Sequence, residues 1–213
     1  MKDTWAARAR RPLWLGVPLA LWTLVACSRP QLENPCPEAV AGELVLTEFR
    51  GSQSGSDTYG EWIELYNASD HSISLGGLQV RALDLDGGSE TLFTVRDAQL
   101  ELPMGAYAVL GSVDRDPMPA HLDYSFGADG VSGLRSGAIV TLEACGEVVD
   151  QTLYRSLPDV GSWSLDGSMT PTAELNDDED LWCTDDVEPE PGDAVTELGV
   201  PGTPGEPNRE CGS

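Results

Sequence analysis

The chain has 213 residues, enough for one domain of ordinary size with terminal extensions. It carries 36 acidic residues against 12 basic ones, a formal net charge of −24. A surface this acidic repels phosphate backbones and anionic headgroups, so the composition argues against nucleic acid as a partner.

Residues 1–26 have the composition of a signal peptide. Four basic residues lie at its start, and an apolar run from Leu13 to Val25 follows, interrupted by Pro18 and too short to span a bilayer. Its removal takes away four basic residues and one acid, which brings the net charge to −27. The sequence therefore predicts an exported protein.

The signal peptide ends in a sequence that resembles the lipobox of bacterial lipoproteins. Residues 24–27 read Leu-Val-Ala-Cys. In that family the cysteine sulfur is acylated and the mature chain begins there, so the resemblance implies a lipid on Cys27. Ser28 follows, which by similarity to enterobacterial sorting implies the outer membrane. A plain secretory signal with an unmodified cysteine is the alternative.

A tether and a first strand come next. Residues 27–41 contain three prolines and are predicted to be an extended tether. Residues 43–49 alternate between two faces, which predicts a strand. The alternation places Glu48 on the same face as Leu46, with Phe49 on the opposite face.

Residues 61–67 (EWIELYN) give the strongest strand prediction in the chain. Ile63 and Leu65 fall on one face of an extended chain, and Trp62 and Glu64 on the other. Every part of the domain that follows is arranged around this strand.

A turn and a bend follow that strand. Asn67 opens a cluster of small polar residues, which is typical of a turn. Gly76 and Gly77 interrupt the next strand soon after it begins, so a bulge or a close backbone approach is expected there.

The remaining strands are predicted from alternation and from the Gly and Pro turns between them. Cys145 and Gly146 are expected to form the turn of a hairpin. No helical period appears after the signal peptide, so residues 42–167 are predicted to form an all-β sandwich. Residues 168–213 are predicted to be an acidic, Pro- and Gly-rich extension that lies across the domain, with Trp182 as its anchor. The predicted strands cover residues 78–83, 91–95, 100–105, 106–110, 136–143, 147–154 and 161–167.

Five cysteines become an even set of four once Cys27 is assigned to a lipid. An exported chain favours disulfides, and four cysteines allow three connectivities. We favour Cys183 with Cys211, which bracket a segment with little to bury, and Cys36 with Cys145, which would tie the start of the domain to a late strand. A zinc site is the alternative, although no C-x-x-C pair is present.

Calcium is the main candidate cofactor. Asp84, Asp86 and Glu90 place three carboxylates in one turn, and residues 177–180 supply a denser acidic cluster. Carboxylate oxygens are the ligands that Ca²⁺ prefers. The spacing of the turn resembles the start of an EF-hand loop but lacks its later ligands. A hairpin turn and a solvated acidic extension are the alternatives.

Candidate catalytic groups are few. His71 lies in a polar turn and His121 near a proline, and no G-x-S-x-G nucleophile motif is present. Glu61 and Glu64 point to opposite faces of one strand. We expect Glu64 to make a structural hydrogen bond inside the sandwich and Glu61 to be solvated. The sequence therefore predicts a protein that is not an enzyme.

The sequence as a whole resembles the lamin-tail domain, an immunoglobulin-like β-sandwich found in nuclear lamins and in exported bacterial proteins. The residues that carry the resemblance lie in segments 61–67, 75–78, 102–110, 134–154 and 201–208, and they include Trp62, Glu64, Asn67, Gly76 and Gly77. The resemblance implies an immunoglobulin-like sandwich with an irregular C-terminal extension of the bacterial type, and the cysteine pairing favoured above would make this extension disulfide-tied. It also implies an interaction module, because lamin-tail domains are not known as catalysts.

Together these features predict a lipid-anchored protein of the bacterial envelope. Its sandwich would bind another envelope protein or a surface polysaccharide, without catalysis. The alternative from another class is an accessory or divergent extracellular hydrolase, assisted by a metal at Asp84, Asp86 or the acidic extension.

Overall fold

The computed structural model describes residues 36–54, 59–187 and 202–212. Within them strands are the main regular secondary structure, with one short helix, α1 (Ala173–Asn176), and two single 3-10 turns. The strands in chain order are β1 (Leu44–Arg50), β2 (Trp62–Asn67), β3 (Ile73–Ser74), β4 (Gln79–Asp84), β5 (Glu90–Thr94), β6 (Glu101–Leu102), β7 (Tyr107–Gly111), β8 (Tyr124–Ser125), β9 (Ala138–Ala144), β10 (Glu147–Tyr154), β11 (Ser162–Leu165) and β12 (Trp182–Asp185).

Two sheets pack face to face, so the predicted all-β sandwich is confirmed. One described sheet has the order β12-β11-β1-β2-β7-β8 and the other β10-β9-β4-β5, while β3 and β6 form a small separate pair. Apolar side chains of both sheets fill the space between them. They include Leu46, Phe49, Ile63, Leu65 and Leu110 from the six-stranded sheet, and Val80, Ala82, Phe93, Val140 and Tyr154 from the four-stranded sheet.

A β-bulge in β1 overturns the predicted alternation of that strand. The register with β2 shifts between Leu46 and Glu48, so Thr47 is the extra residue. Phe49 therefore joins Leu46 in the core, where its ring centroid lies 5.0 Å from that of Tyr154. Glu48 turns to the outer face of the six-stranded sheet.

The outer face of the six-stranded sheet is covered rather than open to solvent. Every residue of β1 is buried, and so is every residue of β2 except Tyr66. Trp62 packs there with Val109 and Leu122, in a second apolar cluster separate from the core. Both of these central strands are therefore sandwiched between the core and an outer layer.

The six-stranded sheet continues past residue 167, where the sequence predicted the sandwich to end. β12 pairs antiparallel with β11, from Leu165 opposite Trp182 to Ser162 opposite Asp185. The Trp182 ring stacks on Phe49 with a centroid separation of 5.6 Å, so this part of the predicted extension contributes to the core.

The cysteines pair at disulfide distance in the connectivity that the sequence favoured. Cys36 lies opposite Cys145 with a Cα separation of 5.3 Å, and Cys183 lies opposite Cys211 at 5.8 Å. Cys145 and Gly146 both have positive φ, as a two-residue hairpin turn between β9 and β10 requires. The predicted hairpin is therefore confirmed.

One end of the sandwich, which we call the tether end, holds Cys36, the β9–β10 turn, the start of β1 and the end of β2. Cys36 is the first described residue and is joined to the β9–β10 turn. The backbone N–H of Gly42 donates to the carbonyl of Val149 at 2.8 Å, so β1 begins at this end. Because β2 runs antiparallel to β1, it finishes here at Asn67.

Asn67 holds the turn after β2 together. Its Nδ2 donates to the carbonyls of His71 and Leu102, both at 2.8 Å, and its Oδ1 accepts from the N–H and hydroxyl of Ser69. Asn67→Ala should lower the free energy of unfolding by about 1–3 kcal/mol, because it leaves the buried Leu102 carbonyl without that donor. Urea unfolding measures the change. Asp70→Ala, in the same turn but fully exposed, is the control and should change little.

Candidate functional site

Residues 202–212, which we call the C-terminal strap, cross the outer face of the six-stranded sheet. Nδ2 of Asn208 donates to the carbonyls of Thr47 at 2.9 Å and of Leu165 at 2.8 Å. A side chain at Gly167 would overlap the backbone oxygen of Asn208, so this close approach requires glycine. The strap is thus fixed to both β1 and the end of β11.

The far end of the strap is attached to β12. Cys211 is paired with Cys183, and Nη1 of Arg209 lies 2.8 Å and 3.0 Å from the two carboxylate oxygens of Asp185. The Asp185 side chain is buried, so this ion pair is shielded from solvent. A covalent and an ionic contact therefore hold one end of the strap.

Glu48 lies under the strap with no exposed surface. Its Oε1 accepts hydrogen bonds from the hydroxyls of Ser162 and Ser164 and from the backbone N–H of Thr203 at 3.1 Å. Its Oε2 is also buried and has no hydrogen-bond partner in the described residues. The strap therefore donates directly to this carboxyl group.

Glu64 is the cross-strand partner of Glu48 in the β1–β2 register and is equally buried. Its Oε1 accepts from the hydroxyl of Thr47 at 2.8 Å, and its Oε2 accepts from the backbone N–H of Gly205 at 2.7 Å. The expected structural hydrogen bond is present. It lies beneath the strap on the outer face, and not between the two sheets, because Ile63 and Leu65 take the inner positions.

Both glutamates hold protons more tightly than solvated carboxyls do. Burial raises the pKa of Glu48, and the charge of Asp185 raises it further. Burial also raises the pKa of Glu64 well above its usual range, with additional contributions from the charges of Glu48 and Asp123. The hydrogen bonds from the strap favour the ionised forms but are outweighed by burial.

An open groove of about 340 Å³ lies beside the strap. Tyr66 and Tyr107 form its floor as cross-strand neighbours, with ring centroids 4.9 Å apart, and both are half-buried. Residues 165–171 and, from the strap, Pro207 and Asn208 also line the groove.

The polar groups around the groove are mainly oxygens. The N–H groups of Ser168 and Cys211 donate to the carboxylate of Asp166, at 2.9 Å and 3.3 Å, and the pKa of Asp166 is lowered by these bonds. Burial, with the nearby charges of Glu64 and Glu206, raises the pKa of Tyr107 and keeps its phenol protonated. The groove therefore offers aromatic rings, phenol hydroxyls and the carboxylate of Asp166.

The predicted calcium turn is arranged differently from a metal site. Asp84 pairs with Arg135 at 3.3 Å, Glu90 pairs with Arg81, and Asp86 accepts from the N–H of Gly88. Within the described ranges no three acidic, His or Cys side chains are grouped as metal ligands would be. Calcium binding by Asp84, Asp86 and Glu90 stays a prediction.

The acidic cluster at residues 177–180 has local structural partners. The Asp178 side chain accepts from the N–H of Asp180 at 3.1 Å and so caps a 3-10 turn. Glu179 makes two hydrogen bonds of 3.0 Å with Arg155. These contacts fit the alternative reading of a surface turn.

The remaining motif residues shape the sheet. The Trp62 ring lies under the Arg50 guanidinium, 4.8 Å from its centroid. Gly77 has a φ of 97°, and a Cβ on Gly76 would lie 2.9 Å from the Cα of Ala98, so the expected close approach is found. Glu61 was expected to be solvated, but its Oε2 accepts from the N–H of Leu134 at 2.6 Å.

The two histidines belong to different parts of the fold. His71 lies at the tether end and contacts the exposed Asp70 at 3.3 Å. His121 is buried on the outer layer, where its ring lies 5.3 Å from that of Trp62 and its Nε2 lies 3.1 Å from the carbonyl of Tyr59. Cys27 and the proposed signal peptide lie outside the described residues.

Sequence reasoning missed the role of Glu48 and the contact between strap and glutamates. The bulge at Thr47 hid Glu48, because simple alternation assigns it to the apolar face. One signal was present: two acids occupy central positions in consecutive, otherwise apolar strands. Buried acids in such positions need donors from another segment.

The fold and this site define a disulfide-tied all-β sandwich with an open aromatic groove. A comparison with models of known protein families matches none of them, and no curated protein matches the sequence. None of the helices in the described segments is long and apolar enough to cross a membrane. The resemblance to the lamin-tail domain therefore stays a prediction.

Proposed function

We propose that this chain is a lipid-anchored bacterial envelope protein whose lamin-tail-like sandwich binds a surface polysaccharide, without catalysis, in the groove beside the strap. The observation that supports a saccharide as the ligand is the pair of tyrosines. Tyr66 and Tyr107 lie side by side on the floor of a groove that is open to solvent.

The chemistry of the groove suits a sugar ring. Aromatic side chains offer an apolar surface, and a sugar ring has C–H faces that can pack on it. The phenol hydroxyls, the Asp166 carboxylate and nearby backbone groups can bind the hydroxyls at the rim of the ring. Because Asp166 and Glu206 are acidic, neutral or amino sugars fit better than uronic acids.

The position of the groove suits a polymer at the cell surface. Tyr66 is next to Asn67, so the groove lies on the flank of the sandwich near the tether end. Cys27 and Cys36 are nine positions apart, with eight residues between them, so that segment reaches at most about 30 Å. A lipid on Cys27 would hold the groove close to the membrane and to polymers that lie along it.

The anchor is tested separately from the ligand. Cells that express the full chain are labelled with radioactive palmitate, with and without globomycin, and compared with Cys27→Ser. Labelling that depends on Cys27 supports the anchor. An unlabelled protein would contradict it.

The groove is tested by substitution of its floor. Tyr107→Ala and Tyr66→Ala should each weaken binding of the mature chain to an oligosaccharide by about 0.5–1.5 kcal/mol, roughly 2–13-fold, because each removes one aromatic contact. Isothermal titration with chitohexaose, cellohexaose and polygalacturonate provides the measurement. We expect binding to the first two probes and weaker binding to the third.

The matched control is Leu92→Ala. Leu92 is 45% exposed on β5, in the opposite sheet, so its loss should leave oligosaccharide binding unchanged. If no saccharide binds and a protein is captured from envelope extract in a manner that depends on Tyr107, the ligand class proposed here is wrong.

A further inference from the structure

We propose that Glu48 and Glu64 share one proton at neutral pH, seated on Oε2 of Glu48, and that this proton latches the C-terminal strap against the sheet. Loss of the proton would free the strap and open the groove beside it. The consequence for the groove rests on the proposed function, whereas the latch itself does not.

The hydrogen bonds around the pair leave room for one proton. Three of the four carboxyl oxygens accept from identified donors, and Oε2 of Glu48 has none in the described part of the chain. A buried acceptor without a donor destabilises the folded state. A proton on this oxygen turns it into a donor, and Glu64 is its cross-strand neighbour.

Among the described residues, no ion pair is recorded between either glutamate and a basic side chain. Arg209 is paired with Asp185, and Arg50 lies over the Trp62 ring and donates to a backbone carbonyl. The charges that raise the pKa values of the pair are acidic. They are Asp185 for Glu48, and Asp123, together with Glu48 itself, for Glu64.

The elements packed on the pair otherwise present neutral donors. β11 presents the hydroxyls of Ser162 and Ser164, and β1 presents that of Thr47. Tyr107, on β7, has a phenol that stays protonated. Two buried, adjacent carboxylates repel each other strongly, so retention of one proton is the favourable arrangement.

The strap responds to the pair because it supplies donors to both carboxyls. The N–H of Thr203 donates to Glu48 and that of Gly205 donates to Glu64. When both groups ionise, departure of the strap lets water hydrate them. The pairing of Cys211 with Cys183 keeps the far end attached, so the opening is local and reversible.

Pro207 and Asn208 follow these contacts directly and line the groove. Release of the strap, which must include the contacts of Asn208 with Thr47 and Leu165, therefore widens the groove where Pro207 and Asn208 line it. Since the carboxyls hold their protons more tightly in the latched state, that state is fully stable at low pH. It is lost as the pH rises through the upper apparent pKa of the pair.

Glu48→Gln tests the latch. Glutamine keeps an oxygen for the serine and strap donors and places an amide N–H₂ at the position of the proton, so it imitates the latched state at every pH. In the wild-type chain at neutral pH, infrared spectroscopy should show the C=O band of a protonated carboxylic acid. The band should weaken by one carboxyl group in Glu48→Gln and in Glu64→Gln, and the small band from Asp150, whose pKa is raised to about 6, should remain.

Amide exchange measured by NMR provides the second readout. Above the upper pKa of the pair, protection of the Thr203 and Gly205 amides, corrected for intrinsic exchange, should fall about tenfold per pH unit in the wild type. Glu48→Gln should keep its protection. Glu210→Gln, a substitution of an exposed acid on the strap, is the control and should behave as the wild type.

Two results would overturn the latch. One is the absence of a protonated-acid band in the wild type, which can be judged even if a variant fails to fold. The other is an identical loss of strap protection with pH in the wild type and in Glu48→Gln. None of these measurements uses a saccharide, so failure of the latch and failure of polysaccharide binding are distinguished.

Discussion

Replacement of both Cys36 and Cys145 by alanine should lower the free energy of unfolding by about 4.8 kcal/mol, and replacement of Cys183 and Cys211 by about 3.6 kcal/mol. The sequence separations are 109 and 28 residues, and the longer closed loop restricts the unfolded chain more. Urea unfolding of the two double variants measures both values.

The reduced wild-type protein is the control for these variants. Reduction should lower its stability by at least as much as the more severe double variant. The two variants should also differ locally, because only the loss of Cys183 and Cys211 releases the end of the strap. A change below about 1 kcal/mol in both variants would contradict a structural role for these pairs.

The domain should become more stable as the pH is lowered from 8 to about 5. Burial raises the pKa of Asp150 from 3.8 to about 6, although Leu46 and Asn176 donate to its carboxylate. Burial also raises the pKa of Asp123, and Glu48 and Glu64 shift in the same direction.

The direction in which stability changes with pH follows from proton uptake by the folded chain. Between pH 3.8 and about 6 the folded chain binds more protons at Asp150 than the unfolded chain does, so stability falls as the pH rises through this window. A shift of about two units corresponds to about 3 kcal/mol. The net charge of −24 adds to the effect, since acidification reduces repulsion across the surface.

Thermal melting between pH 4.5 and 8.5 measures this dependence. Asp150→Asn, which cannot titrate, should flatten the curve around pH 6. Asp86→Asn, at an exposed turn position, should leave the curve unchanged. A wild-type midpoint that rises steadily from pH 5 to 8 would contradict the assignment.

Local patterns were enough to predict the sandwich. Alternation in β2, the hairpin at Cys145 and Gly146, and the glycine bend at Gly76 and Gly77 are each encoded within a few neighbouring residues. The favoured cysteine pairing also followed from sequence, because the composition between Cys183 and Cys211 left little else to hold that segment.

The candidate site could not be predicted in the same way, because it depends on contacts that are distant in sequence. Glu48 meets Thr203 across 155 residues, and Glu64 meets Gly205 across 141. A single bulge residue, Thr47, reverses the face on which Glu48 lies. Tyr66 and Tyr107 become neighbours only when β2 and β7 pair.

The pairing of β12 with β11 could not be predicted either, because it also depends on a contact that is distant in sequence. Residues 182–185 lie between acidic segments, so the sequence predicts Trp182 as an anchor of the extension but not the strand around it. In the structure Trp182 is buried against Phe49, which supplies the apolar contact that a short strand needs. Burial of one aromatic side chain, that of Trp182, is thus enough to hold this strand in the sheet although the residues around it are acidic.

Polysaccharide binding in the groove is best tested by NMR mapping of the isotope-labelled mature chain with chitohexaose. We expect saturation to shift the amides of Gly105, Tyr107, Gly167 and Asn208, which lie around the groove. Amides of β5, on the opposite sheet, should not move. Shifts confined to other surfaces, or none at all with any of the neutral and amino-sugar oligomers, would contradict it.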